Sequence, residues 1–174
     1  MKNRLQFLMA TVVTILSAGG FRVAAQPVAS ASLLANVVTP ISIVKTVDLS
    51  FGNAAVAPLL GGSIILAPTG GRTTGGSGVT LPANTGTVAA AAFTVSGEPG
   101  FTFSISLPSS AVITGPGAAT MTVSGFTSSP SLVGTLSSGG AQSLAVGATL
   151  SIPAAQVSGT YTNATALPVT VNYN

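Results

Sequence analysis

The chain has 174 residues, of which 47% are hydrophobic and 4% are charged, and it contains no histidine and no cysteine. The lack of these two residue types excludes disulfide bridges, thiol or histidine catalysis, and the common zinc sites. The formal net charge of +3 comes from the N-terminal residues, so it is no argument for a nucleic-acid or anionic-membrane partner.

The first 25 residues have the three parts of a secretory signal peptide. A basic start at Lys2 and Arg4 precedes an apolar run from Leu5 to Ala18, and small residues come shortly before Gln26. This run is shorter than the roughly 20 apolar residues that span a bilayer, which argues against an uncleaved anchor. We predict that residues 1–25 are a cleaved signal peptide, with the cut after Ala25 or, at a second acceptable site, after Ala31.

Removal of this leader leaves a chain with a formal charge of zero. Three of the five basic residues, Lys2, Arg4 and Arg22, leave with it. The charged residues that remain are Lys45, Arg72, Asp48 and Glu98. We therefore expect no nucleic-acid partner, and copies of the mature chain should not repel one another.

Residues 26–38, which we call the N-terminal extension, alternate with a period of two and stop before Pro40. The positions on one face are all apolar: Ala29, Ala31, Leu33, Ala35 and Val37. The other face carries Ser30, Ser32, Leu34, Asn36 and Val38. One face therefore favours burial. The extension is either the first strand of its own domain or a strand donated to a neighbouring copy, and the pattern alone does not separate the two.

The rest of the chain also alternates with a period of two, and glycine- and proline-rich turns separate the runs. The clearest runs are AAFTVSG (Phe93, Val95), FTFSISLP (Phe101, Phe103, Ile105, Leu107), TMTVSGF (Met121, Val123), TLSIP (Leu150, Ile152) and PVTVNYN (Val169, Val171, Tyr173). ISIVKTVDLSFG and GGSIILAP are further strand candidates, and TGGRTTGGSG is typical of a mobile loop. The pattern predicts an all-β, antiparallel sandwich or barrel.

The composition leaves little for catalysis. Asp48 and Glu98 are the only carboxylates after the leader, and both are expected to be solvated turn residues rather than a catalytic pair. We predict no catalytic residue, no cofactor, no metal site and no small-molecule substrate.

The order of the motifs resembles a known family. TPISIVKTVDLSFG, AAFTVSGEPGFTFSISLP, TMTVSGF, AVGATLSIPAAQVSGTYTNA and the terminal VTVNYN are similar to the bacterial secreted family catalogued as domain of unknown function 4402, over residues 37–174. That family is similar in pattern to spore coat protein U domains and to subunits of archaic chaperone–usher pili. The resemblance implies an immunoglobulin-like sandwich that lacks one strand, which a periplasmic chaperone and then the next subunit supplies.

We therefore expect a signal peptide (1–25), a candidate donor strand (26–38) and a β-sandwich domain (39–174). The expected function is that of a structural subunit of a surface filament of a Gram-negative bacterium. Its partner is itself, with a periplasmic chaperone and an outer-membrane usher as further candidates. The candidate donor face is Ala29, Ala31, Leu33, Ala35 and Val37, and the candidate acceptor core is Val169, Val171 and Tyr173. Alternatives are a monomeric adhesin or binding module with a self-complete sandwich, since about 134 residues follow Pro40, and a small outer-membrane β-barrel.

Overall fold

The computed structural model describes residues 26–163, 165 and 167–174, so the predicted signal peptide lies outside the described residues. The chain divides into two units, Met1–Asn36 and Val37–Asn174. Residues 26–36 of the first unit are exposed and form no strand. The second unit, which we call the domain, contains every described strand.

Fourteen strands are present in the described part of the chain. They are β1 (Ser42–Val47), β2 (Ser50–Phe51), β3 (Ala55–Val56), β4 (Gly62–Leu66), β5 (Arg72–Gly75), β6 (Val79–Thr80), β7 (Val88–Ala89), β8 (Ala91–Ser96), β9 (Thr102–Ser106), β10 (Ser110–Thr114), β11 (Thr120–Ser129), β12 (Val133–Thr135), β13 (Ala141–Ile152) and β14 (Thr170–Tyr173). A single 3-10 turn covers Pro116–Ala118. Among the described residues, no helix has the length and apolar character needed to cross a membrane.

The strands form one large and one small antiparallel sheet. The large sheet has the order β1-β8-β13-β11-β10, and the hairpin β4-β5 joins it along the C-terminal half of β13. The small sheet has the order β12-β9-β14. Two short pairs, β2-β7 and β3-β6, complete the domain. This arrangement confirms the predicted all-β, antiparallel sandwich.

Two apolar clusters form the core. In the first core cluster, Phe103 and Ile105 of β9 and Val171 of β14 pack against buried residues of β8 and β13 such as Val95 and Val146. The second core cluster is built mainly from the large sheet and comprises Ile64, Val79, Val123, Ala148, Leu150 and Ile152. Only the first cluster therefore contains residues from the small sheet.

The strand predictions hold for most of the alternating runs, because alternate residues of β8, β9 and β13 are buried as the period of two requires. Phe101 is an exception, since it precedes β9 and is 43% exposed. Phe103 and Val95 are completely buried. The prediction for TGGRTTGGSG is wrong, since its central residues Arg72–Gly75 form β5 and pair with β4. Threonine and glycine there form an edge strand because the neighbouring hairpin strand supplies the hydrogen bonds that a loop would lack.

Arg72 is tied into the structure through its guanidinium group. Its Nη1 donates to the carbonyl oxygens of Phe51 at 2.6 Å and Asn53 at 2.9 Å. Between these two carbonyls lies Gly52, whose φ of +68° favours glycine. A Cβ at Gly52 would also collide with the carbonyl oxygen of Thr85. Arg72 and Gly52 together fix the backbone of the segment between β2 and β3, and we call this contact the Arg72 clamp.

We expect Arg72→Ala to lower the free energy of unfolding by about 1.5–3 kcal/mol, the usual range for hydrogen bonds made by a charged group. Arg72→Lys should restore only part of this, since lysine carries its ammonium group on a shorter, flexible stem and does not place a donor at the position of Nη1 without reorganisation. The matched control is Lys45→Ala, which removes an exposed ion pair with Asp48 and should cost less than about 1 kcal/mol. Urea unfolding of the three variants measures these differences. Equal midpoints for Arg72→Ala and Lys45→Ala would contradict the clamp.

Candidate strand-acceptor groove

An open groove of about 1260 Å³ lies against the second core cluster. Its floor consists of apolar side chains from the large sheet: Ala91, Phe93, Ala111, Ile113, Met121, Val123, Phe126, Leu150 and Ile152. Within the described residues, none from the small sheet lines the groove. The floor is therefore a continuation of the core that the small sheet does not cover. Four of its residues are partly exposed, Ala111, Ile113, Met121 and Phe126, whereas the other five are buried in the single chain.

One wall of the groove is the stretch of residues 45–56, which runs from the end of β1 through β2 to β3. Leu49, Phe51 and Val56 of this stretch pack against the second core cluster. The Arg72 clamp holds the backbone of this wall at Phe51 and Asn53. The wall is thus fixed by apolar packing on one side and by a charged hydrogen-bond donor on the other.

The other wall consists of residues 156–163 together with Leu167. Thr162 forms a bridge with Thr114 of β10 through two backbone hydrogen bonds of 2.8 and 3.0 Å. The aromatic ring of Tyr161 packs on Gly115, where a Cβ would lie 2.5 Å from its Cε1 atom. The Tyr161 hydroxyl donates to the carbonyl of Val157 at 2.6 Å. These contacts attach the second wall to the edge of the large sheet.

Strand β14 leaves one edge of the small sheet without a partner in the described part of the chain. Alternate residues of an antiparallel strand direct their backbone groups to opposite edges. Asn174 N–H donates to the carbonyl of Thr102 at 3.2 Å, so the even-numbered residues of β14 face β9. The backbone N–H and C=O groups of Val171 and Tyr173 therefore point to the other edge, where they form no hydrogen bond with the described residues.

A cyclic set of hydrogen bonds joins the start of the domain to this strand. Thr39 N–H donates to Oε2 of Glu98 at 2.9 Å, Glu98 N–H donates to the Tyr173 hydroxyl at 2.6 Å, and that hydroxyl donates to the Thr39 carbonyl at 2.7 Å. Phe101 contacts the Tyr173 aromatic ring edge to face, with centroids 5.6 Å apart. A Cβ at Gly97 would collide with the Tyr173 hydroxyl. We call this arrangement the Thr39 latch.

Comparison with protein families matches residues 41–173 to the model described as Domain of unknown function (DUF4402). The chain belongs to the DUF4402 family. This match confirms the family resemblance seen in the sequence motifs. Comparison with curated proteins and with solved structures found no match. The family description carries no activity, so the function of this DUF4402 domain has to be argued from the groove and its surroundings.

The predicted acceptor residues lie in β14 and just before it, and none of them lines the groove. Val171 is buried opposite Ile105, and Val169 and Tyr173 pack partly buried against the first core cluster. Their strand provides the free sheet edge, whereas the apolar floor comes from other strands. The predicted acceptor core and the observed groove are thus different surfaces of the same DUF4402 domain.

The predicted donor-face residues Ala29, Ala31, Leu33, Ala35 and Val37 are all exposed, and Leu33 and Val37 are 99% exposed. No strand is assigned between residues 26 and 41. The alternative in which residues 29–38 form the first strand of their own domain is therefore not the arrangement observed. Whether these residues are donated to a neighbouring copy stays a prediction.

Sequence reasoning identified part of the groove floor. Phe93, Met121, Val123, Leu150 and Ile152 were named as strand residues, whereas Ile113 and Phe126 of the floor and Leu49 and Phe51 of the wall were not singled out. The alternation of these strands identifies which side chains point to the core. It carries no information on whether a second sheet covers them, so no sequence signal was available for the groove itself.

The two carboxylates have separate roles at opposite ends of strand pairings. Asp48 is exposed, lines the groove and forms an ion pair with Lys45. Glu98 accepts the hydrogen bond from the Thr39 backbone, and this bond holds the pKa of Glu98 below its ordinary value. Their hydrogen-bonding partners are different.

Because the pKa of Glu98 is lower in the folded state, its contribution to stability is present at neutral pH. That contribution is lost as the pH falls below the unfolded-state pKa of about 4.3 and through the folded-state value. We expect the free energy of unfolding to fall more steeply below about pH 4.3 in the wild type than in Glu98→Gln. Urea unfolding between pH 3 and 7 measures this, with Asp48→Asn as the control that keeps the Thr39 latch. Parallel curves for wild type and Glu98→Gln would rule out the contribution.

Proposed function

We propose that this protein is a structural subunit of a bacterial surface filament, in which residues 29–37 of one copy insert into the groove of the next. The observation that carries the proposal is the apolar groove floor, which belongs to a core cluster and yet is left open by the small sheet. A donated strand would cover the exposed part of this floor, and pairing with the free edge of β14, which does not line the groove, is a separate requirement of the proposal. Strand addition requires both side-chain pockets and free main-chain groups.

The N-terminal extension has the properties of such a strand. Its donor face alternates small and medium apolar side chains that are exposed in the single chain. Residues 29–37 carry no charge, so burying them leaves no ionised group without a partner. Fully extended, nine residues span about 30 Å.

The free edge of β14 restricts how a donated strand pairs there. Residues directly opposite each other in an antiparallel pair point their side chains to the same face. Val171 points its side chain into the first core cluster and its backbone groups to the free edge. The donor residue opposite Val171 would therefore supply an apolar side chain and both hydrogen-bonding groups. Odd-numbered donor residues such as Leu33 and Ala35 would meet both requirements.

The similarity in pattern to spore coat protein U domains and to archaic chaperone–usher pilus subunits supports the same function. In this proposal the main partner is another copy of the chain. A periplasmic chaperone would cover the groove before assembly, and an outer-membrane usher would export the subunits to the cell surface. The mature chain carries two positive and two negative residues, so closely packed copies have no net repulsion to overcome.

The decisive experiment separates the donor from the acceptor. A chain lacking residues 26–38 should fail to polymerise, because it keeps the groove but has no strand to donate. It should bind a synthetic peptide of residues 26–38 and be stabilised by it, by about 2.7 kcal/mol at a peptide concentration 100-fold above the Kd. Size-exclusion chromatography and thermal unfolding with and without peptide measure both effects.

The peptide offers a matched pair of controls. Leu33→Asp should weaken binding more than 100-fold, since it forces a carboxylate against apolar core side chains. Ser32→Asp should change binding much less, because that side chain faces away from the floor. A truncated chain that is monomeric, as stable as the full chain and indifferent to the peptide would overturn the proposal. That result would favour a monomeric binding module with a self-complete sandwich.

A proline substitution tests the pairing with β14 directly. Proline removes one backbone N–H and restricts the chain little in an extended segment. In the peptide, Ala35→Pro should weaken binding at least tenfold because the lost N–H faces β14. Asn36→Pro should have a smaller effect because the N–H of Asn36 faces away from β14. Equal binding of the two peptides, measured by titration calorimetry with the truncated chain, would contradict antiparallel pairing at this edge.

A further inference from the structure

An exposed apolar loop lies between β3 and β4. Leu59 is 89% exposed, Leu60 is 55% exposed, and Pro58 before them is exposed as well. Within the described residues of the domain, Val37 is the one large apolar residue with a more exposed side chain than Leu59. We call residues 58–60 the apolar tip. Contiguous apolar side chains that face water often mark an interaction site.

The apolar tip is held in place by contacts of the neighbouring backbone. Ala57 N–H donates to the carbonyl of Gly78 at 2.8 Å, and the Ala57 carbonyl accepts from Ala155 N–H at 3.3 Å. Gly78 lies so close to Leu60 that a Cβ there would be 2.1 Å from the Leu60 carbonyl oxygen. A loop that is already fixed loses little conformational freedom when a partner binds it.

The strand pairings place the apolar tip and the Thr39 latch at opposite ends of β13. Ala141 at the start of β13 pairs with Ser96, two residues before the latch carboxylate. Ile152 at the end of β13 pairs with Gly62, two residues beyond the tip. At about 3.3 Å per residue, the 12 residues of β13 span about 36 Å. We call the two ends of the domain the latch end and the far end.

The direction of a donated strand decides which surface of a neighbouring copy comes close to the apolar tip. Strand β14 runs towards the latch end, where the Tyr173 hydroxyl accepts a hydrogen bond from Glu98 N–H. A strand paired antiparallel to β14 runs away from the latch end, in the same direction as β1. Residues 29–37 span about 30 Å when extended, so their C-terminal end reaches the far end of the acceptor.

Thr39 follows the donor segment by only two positions, so the latch end of the donor domain lies next to the far end of the acceptor. We propose, on the basis of the proposed function, that the apolar tip of each copy docks on the latch end of the copy whose extension it has received. Two different surfaces meet in this contact. It is therefore a head-to-tail contact that continues along a filament and does not close a dimer.

The turn between β8 and β9 provides the matching surface at the latch end. Pro99 and Gly100 in this turn are exposed, and Phe101 is 43% exposed. Residues 58–60 and 99–101 carry no charge, so their contact buries no ionised side chain. Apolar burial at this contact adds to the pairing of the donated strand.

Leucine-to-serine substitutions test the apolar tip at a position outside the groove. Leu59→Ser should raise at least tenfold the concentration at which half of the mature chain is polymeric, because the contact loses its most exposed apolar side chain. Leu132→Ser is the matched control and should polymerise as the wild type does. Leu132 is 73% exposed and precedes β12, at the edge of the small sheet opposite β14. Pelleting of a concentration series measures the polymer fraction of each variant.

Peptide binding separates the apolar tip from the groove. The extension forms no strand in the domain, so residues 26–38 can be deleted and supplied as a peptide. The truncated Leu59→Ser chain should bind this peptide with the wild-type Kd, because the peptide carries no latch end. Weaker peptide binding, or wild-type polymerisation by full-length Leu59→Ser, would overturn the inference and leave the proposed function intact. A wild-type chain that neither polymerises nor accepts the peptide would overturn both.

Crosslinking tests the contact directly, because the chain contains no cysteine. In a chain with Pro58→Cys and Pro99→Cys, the two thiols lie at opposite ends of one copy, too far apart for a short bis-maleimide to join. Polymers of this chain should therefore give a ladder of covalent oligomers on a denaturing gel. Polymers with Leu132→Cys and Pro99→Cys should give none. An equal ladder in both, or none in the first, would contradict docking of the tip on the latch end.

Discussion

The apolar inner face of the large sheet extends beyond the small sheet that packs against it, and much of the structure follows from this mismatch. On the side of the small sheet, the first core cluster is covered by Phe103, Ile105 and Val171. The second cluster has no cover from the small sheet. Leu49, Phe51 and Val56 pack against it, and its neighbours Ile113 and Met121 remain only partly buried. Apolar surface left in contact with water costs roughly 25 cal/mol per Å² relative to burial. Covering the exposed part of this floor with a strand, as in the proposed function, would remove that cost.

The part of the large sheet that the small sheet leaves uncovered also relates three features of the chain to one another. An alternating apolar segment precedes the domain, an open groove lies within it, and the last strand of the small sheet has an unpaired edge. In the proposed function, a strand inserted from a neighbouring copy would bury the apolar segment, cover the groove and give the unpaired edge a partner. The surface involved is uncharged apart from the Lys45–Asp48 pair at the groove, so apolar burial and backbone pairing would dominate the association.

With no disulfide and few charges, the chain relies on a small number of polar contacts to fix its non-strand segments. The Arg72 clamp holds one groove wall through two backbone carbonyls. The Thr39 latch holds the root of the extension through the backbone of a single residue. In both cases a side chain from a distant part of the sequence bonds to backbone groups of the segment that it holds. Such contacts satisfy polar groups and also determine where irregular segments lie.

The sequence by itself determined the all-β class, the core-facing residues of the long strands and the family. Val95, Phe103 and Ile105 were identified because a period of two records which side of a strand is apolar. The sequence did not reveal β5, because Arg72–Gly75 has a loop-like composition and becomes a strand only through its pairing with β4. It also did not reveal the groove, since Ile113 and Phe126 alternate like any core residue whether or not another sheet covers them. The tertiary structure decided which apolar faces meet and which stay open, because that depends on contacts between strands far apart in the chain, and local alternation carries no record of them.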